Sequence, residues 1–134
     1  MPLTQDRLTS QRTGKNFGDP VAAGAVIFAG SLVCLDASGN AVPGVTATDL
    51  TARGMAEEHV DNSAGVAGAV RVRVVRGVFC FDNSAGADQV TRADIGSQAW
   101  IVDDHTVAAT NGTNTRSPAG IIRDVDSQGV WIEI

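Results

Sequence analysis

The side chains able to act as bases, nucleophiles or soft metal ligands near neutral pH are few: two histidines and two cysteines in 134 residues. Asp103, Asp104 and His105 follow one another and offer three ligands on one turn. Donors crowded on one short loop rarely close a tetrahedral zinc site, and no second cluster with Cys or His spacing exists to complete it. A solvated hairpin tip is the simpler expectation. His59 follows Glu57 and Glu58 and reads as the end of an acidic loop. A nucleophilic triad would set one histidine against Ser31, Ser63 or Ser84, yet no Gly-x-Ser-x-Gly frame surrounds any of them. Neither glycine-rich phosphate loop occurs, nor a Cys-x-x-Cys pair. The adjacent acids Glu57/Glu58 and Asp103/Asp104 suit strand ends that discourage edge pairing. The expectation is a chain with no catalytic, metal or cofactor site.

Cys34 and Cys80 lie inside the apolar runs 32–35 and 78–81. Free cysteine behaves there as a small hydrophobe, and a disulfide would need the two on adjacent strands. The first residues show no apolar signal-peptide region, and no run approaches membrane-spanning length, so a soluble protein made in a reducing cytoplasm is expected.

The elements that position these side chains read as short strands. Charged residues make up 19% of the chain, and Gly, Ala, Val, Thr and Ser dominate, which favours closely packed β structure in one domain. Asp19-Pro20 marks a boundary. Strands are expected at 25–29, 31–36, 41–43 and 51–56, with residues 37–40 as a hairpin turn. Residues 69–82 form the longest candidate. Its first half alternates Val70, Val72 and Val74 with Arg71 and Arg73, whereas both faces turn apolar after Arg76-Gly77. Either a bulge shifts the register there, or the strand passes into a place covered on both sides by another layer or subunit. Residues 89–95 hold the one helical segment expected. Strands at 99–102 and 106–109 flank the Asp103–His105 turn, residues 111–117 form a polar loop, and 121–125 with 130–134 close a last hairpin. Asp61-Asn62-Ser63-Ala64-Gly65 recurs as Asp82-Asn83-Ser84-Ala85-Gly86, an Asx-type turn with a positive-φ glycine used twice.

Residues 1–18 form an arm. Leu3, Leu8 and Phe17 follow no helical or strand period, and ordering the backbone costs about 1–2 kcal/mol per residue, so the arm cannot fold by itself. Two expectations compete: a partner pins it, through strand pairing or through anchors such as Leu3 and Phe17, assisted by Arg7, Arg12 and Lys15, or it is a frayed or added terminus held only by neighbouring molecules. These three cations against Asp6 give the arm +2, which leaves −7 on the body for a total of −5. A body that acidic is repelled by phosphate backbones, and no Tyr is present among the few aromatics, so nucleic-acid binding is not expected. Trp100 and Trp131 lie on C-terminal strands, where a sheet-covering role competes with a subunit-interface role. Arg76, Phe79 and Phe81, in the doubly apolar half of the long strand, are further interface candidates.

The run 20–43, PVAAGAVIFAGSLVCLDASGNAVP, resembles the minor capsid, decoration or cement proteins of tailed bacteriophages. Residues 71–79, 101–104 and 124–134 agree with it, so the likeness spans nearly the whole chain through segments that are individually unspecific Gly-rich β patterns. The resemblance implies a small β-barrel or β-tulip-like domain over 19–134, trimeric and seated outside an icosahedral head. It also implies an extended arm lying along the major capsid protein. No catalytic residues belong to that family. The alternative is a virion-displayed β-sandwich that binds glycans or a host protein. It lacks the Cys-Trp-Cys spacing of an immunoglobulin-like domain and has few surface aromatics for sugars.

Overall fold

Arg76 and Gly77 divide what the sequence presents as one long strand. In the computed structural model, which describes all 134 residues, Arg71–Val75 (β7) and Val78–Asn83 (β8) belong to different sheets. Before the break, Val72 and Val74 point inward and Arg71 and Arg73 outward. After it, Phe79 and Phe81 point into a second core. The apolar character on both faces therefore reflects a change of sheet within one chain.

The first sheet joins β1 (Asn16–Pro20), β7, β5 (Thr51–Ala56), β3 (Leu32–Leu35) and β4 (Ala41–Pro43), in that spatial order. Val21, just beyond β1, makes a parallel bridge to Ala41 of β4, so the sheet curls until its two edges meet. A separately hydrogen-bonded ribbon, β2 (Val26–Ile27) with β6 (Val60–Asp61), packs against the core of this sheet through Ile27 and Val60. The second sheet is a closed barrel of β10 (Thr106–Ala108), β8, β12 (Gly129–Glu133), β11 (Pro118–Asp126) and β9 (Gln98–Ile101). Its one parallel pair, β8 with β10, is the closing seam. The chain is a small all-β domain containing a five-stranded β-barrel.

Leu32-Val33-Cys34-Leu35 carries no polar residue because β3 is the wall between two cores. Leu32 and Cys34 face the core filled by Phe81, Ile101, Val107, Ile122 and Ile132. Val33 faces the other way, onto Val21, Ile27, Val72 and Val74. A strand buried on both faces loses the polar alternation of a solvated one. The close approach of other strands demands glycine at defined points. At Gly54, φ is +153° and a Cβ would lie 2.3 Å from the carbonyl oxygen of Val75.

The hairpin and loop expectations at 37–40, 103–105 and 111–117 agree with the structure. Helical geometry is confined to two single 3-10 turns, Gly86–Asp88 and Arg92–Asp94. The second lies inside the expected 89–95 segment, where Thr91 and Asp94 form a reciprocal capping box. The repeated pentapeptide differs between its copies. Asp61 Oδ1 accepts the Ser63 N–H at 2.8 Å, whereas Asp82 makes no such turn and its own N–H donates to His105 O. Gly86 has φ +65°, but Gly65 is required for space, since a Cβ there would lie 2.0 Å from Asn62 Oδ1. What the copies share is their asparagine. Asn62 Nδ2 donates to the carbonyls of Val21, Ala22 and Val66, and Asn83 exchanges two bonds with the Val90 backbone.

Candidate functional site

The candidate contact surface is built around the place where the arm leaves the body. Residues 1–16 are exposed, and regular structure begins at Asn16, so Phe17 and Gly18 belong to the domain and not to the arm. Strand β1 pairs along its length with β7, Asn16 opposite Val75 and Pro20 opposite Arg71. The part of the expected arm that is ordered is thus held by its own chain. Phe17 and Asp19 lie on the inward face, opposite Val74 and Val72. Arg53, from β5, reaches between them. Its Nε and Nη2 donate to Asp19 Oδ2 and Oδ1 at 2.7 and 3.0 Å, and its guanidinium carbon stands 3.6 Å over the Phe17 ring. A bidentate pair stacked on an aromatic face uses all three side chains internally. The expectation that Phe17 anchors the arm on a partner is corrected accordingly.

Leu3, Arg7, Leu8, Arg12 and Lys15 remain on the exposed arm, with Leu8 essentially fully exposed. At its root, the Arg76 N–H donates to Lys15 O at 2.8 Å, and Arg76 Nε donates to Ile134 O at 3.4 Å. Ile134 N–H in turn donates to Gly77 O. The arm's exit, the crossover between sheets and the last residue therefore converge on Arg76. Beside them lies a cleft of about 400 Å³ between the two sheets. Leu50, Ala52, Pro118, Ala119 and Ile134 supply its apolar lining, and Glu133 lies at its edge.

The remaining interface candidates separate by face. Phe81 is 4% exposed and sits in the barrel core, which corrects its assignment as a contact residue. Phe79 packs against the same core. Trp100 and Trp131 are half-buried and lie on the outward face of the barrel, between inward-facing neighbours. Trp131 stands opposite Cys80 on β8, and its Nε1–H donates to Asp126 Oδ2 at 2.9 Å. Trp131, Cys80 and exposed Val78 form an apolar patch on the outside of the barrel that the sequence did not separate from the core, while Trp100 lies apart from it on β9, opposite Pro118.

His105 occupies an acidic hairpin tip. Its Nδ1 lies 3.1 Å from Asp104 Oδ1 and 3.0 Å from Asp103 Oδ1, and Asp82 lies 3.9 Å from Nε2. The hydrogen bond to Asp104, followed by the charge of Asp103, raises the histidine above its ordinary 6.5. Asp103 Oδ1 also accepts the His105 N–H, closing the turn. The donor atoms of Asp103, Asp104 and His105 all lie within 4.8 Å of one another. All three come from one exposed turn, with no ligand from another element. Ser31 and His105 both line a hollow of about 280 Å³, but Ser31 Oγ has no hydrogen-bond partner, so no nucleophile–base contact is formed. His59 stacks at a tilt against Phe28, with ring centroids 5.0 Å apart. Ser84 Oγ donates to Val107 O.

Both cysteines are free and lie on different sheets. Burial pushes the Cys34 thiol up to about 12, as expected of a core residue. Cys80 is only half-buried, in contrast to the core placement expected for it. No helix is long and apolar enough to cross a membrane. Comparison with known proteins identified no matching family model, curated protein or solved structure.

Proposed function

We propose that this chain is a structural virion protein that binds the outside of an icosahedral phage head and stabilises the shell, acting as a trimer against the major capsid protein. The observation that carries this reading is the arm. Residues 1–15 carry +2 and two exposed leucines, and they project from a body of −7 that makes almost no use of them. A segment of this kind gains order only by lying on another surface. The bidentate Asp19–Arg53 pair fastens the strand from which it springs, so tension on the arm is transmitted to a packed sheet. The acidic body suits a position outside a DNA-filled shell. Three arms engaging together raise avidity by about 10²–10⁴ over one, so individually modest contacts suffice.

The test mixes purified protein with expanded shells lacking it and measures co-sedimentation, using the full chain and a chain without residues 1–15. Saturation at a fixed ratio to the shell subunit, lost with the arm, is the expected result. Equal binding by both chains would remove the mechanism.

A further inference from the structure

We infer that Asn111 is a self-modification site, where the Gly112 amide nitrogen attacks the Asn111 side-chain amide and the folded protein converts this residue to aspartate and isoaspartate. The attack needs a backbone nitrogen outside any strand ladder and unshielded by a side chain. Gly112 meets both conditions, since it stands in the loop between β10 and β11 and has no Cβ. Of the six asparagines, Asn111 alone precedes a glycine. The others precede Phe17, Ala41, Ser63, Ser84 and Thr115, whose side chains shield the nitrogen.

The loop surrounds this pair with groups that assist the reaction. Gly112 N–H donates to Thr110 Oγ1 at 3.4 Å, and the Thr110 hydroxyl donates in turn to Asp88 Oδ1, which gives the amide proton a way out. The Arg116 guanidinium packs so closely on Gly112 that a Cβ there would lie 3.0 Å from its Nε. A fixed cation at that distance favours the nitrogen anion that attacks. On the side chain, Asn111 Oδ1 accepts the Asn114 N–H at 3.2 Å. Negative charge collects on this oxygen as the new bond forms, and a donor already in place stabilises it. The turn itself is fixed, because the N–H groups of Thr115 and Arg116 both donate to Asn111 O. Thr113 and Asn114 are held at φ 59° and 61°, a strain that the longer isoaspartyl backbone relieves.

The step needs only the chain and water. A bond forms between Gly112 N and Asn111 Cγ, the Cγ–Nδ2 bond breaks, and the amine departs as ammonia with the proton that Gly112 gave up. Water then opens the cyclic imide at one carbonyl to leave aspartate, or at the other to leave isoaspartate. Either product adds a negative charge. Arg116 Nε is buried without a hydrogen-bond partner, so the loop already holds a donor for it. The inference concerns the chain alone and is independent of the shell-binding reading.

The experiment incubates the full chain at pH 8 and maps its peptides by mass spectrometry, with fragmentation that separates isoaspartate from aspartate. Circular dichroism follows the fold throughout. Position 111 should convert about tenfold faster than any other asparagine, the ratio given by a barrier lower by about 1.4 kcal/mol. Arg116→Gln should slow the conversion several-fold. Because that variant also breaks the ion pair with Asp88, Thr110→Val provides a second reading at an exposed position and should slow it as well. Conversion at 111 only in the urea-unfolded chain, a rate there no faster than at the other asparagines, or a rate unchanged by either substitution would overturn the inference.

Discussion

Arg53→Ala is the substitution that tests most directly how the arm's root is held. Asp19 is 7% exposed, and Arg53 supplies both side-chain hydrogen bonds to its carboxylate, at 2.7 and 3.0 Å. Removing the arginine leaves a carboxylate facing Val72 on the inward side of the first sheet. Stranding a fully buried charge costs about 3–5 kcal/mol. The Arg53 side chain is 27% exposed, so water reaches part of the gap and lowers this to about 2–3 kcal/mol. Loss of the guanidinium from the Phe17 face adds about 0.5–1 kcal/mol. The sum, about 3 kcal/mol, corresponds to a fall in Tm on the order of 10 °C for a domain of this size. Replacing both partners, Asp19→Leu with Arg53→Leu, removes the stranded charge and should recover all but about 1 kcal/mol. Urea unfolding followed by far-ultraviolet circular dichroism and by tryptophan fluorescence measures both variants. Trp100 and Trp131 lie in the barrel, whereas the ion pair lies in the other sheet. Because β3 walls both cores, the two signals should shift together. A loss below about 1 kcal/mol for Arg53→Ala would show the pair behaving as an exposed one and refute the reasoning.

Gly54→Ala places a Cβ against the Val75 carbonyl at a φ of +153° and should cost about 2 kcal/mol or more in thermal unfolding, while Gly14→Ala, with open space around it, should cost nothing measurable. Asn62→Ala removes the donor shared by three loop carbonyls and should destabilise by about 2 kcal/mol, compared with about 1 kcal/mol for Asn83→Ala, in denaturant titrations. Cys34, buried and raised to about 12, should react with a thiol reagent at pH 8 only upon global unfolding, so its modification rate should follow the unfolding equilibrium. The His105 titration observed by NMR should have its midpoint above 6.5, and Asp104→Asn should lower it. Since the folded value is raised, the small stabilisation from this exposed group is fully present below pH 6.5 and disappears as pH rises through the folded midpoint.

Much of the local structure is legible in the chain. The alternation Arg71-Val72-Arg73-Val74 requires a strand with one solvated face, and Asp36-Ala37-Ser38-Gly39-Asn40 closes a turn through the Asp36 carboxylate within five residues. These features depend on neighbours in sequence, so composition and spacing suffice to find them. The all-β class follows for the same reason; of the arm expected over residues 1–18, residues 1–15 stay without a core, whereas 16–18 join β1.

Other features depend on which strands meet. The break at Arg76-Gly77 was visible as a change of pattern, but only the sheet order separates a bulge from a crossing between two sheets. Phe17 could not be told from an arm anchor because its partner, Arg53, lies 36 positions away and pairs with Asp19 only when β1 and β5 flank β7. Phe79 and Phe81 alternate with Val78 and Cys80, all of them apolar, so period-2 reasoning could not choose the buried face; closure of the barrel chose it. The intersheet cleft had no signature at all, since Leu50 and Ala52 meet Pro118 and Ile134 across most of the chain's length. The chain by itself determined its strands, its turns and an arm without a core. Long-range pairing decided which apolar faces were buried and which stayed exposed, because burial belongs to the packed arrangement and not to any segment of it.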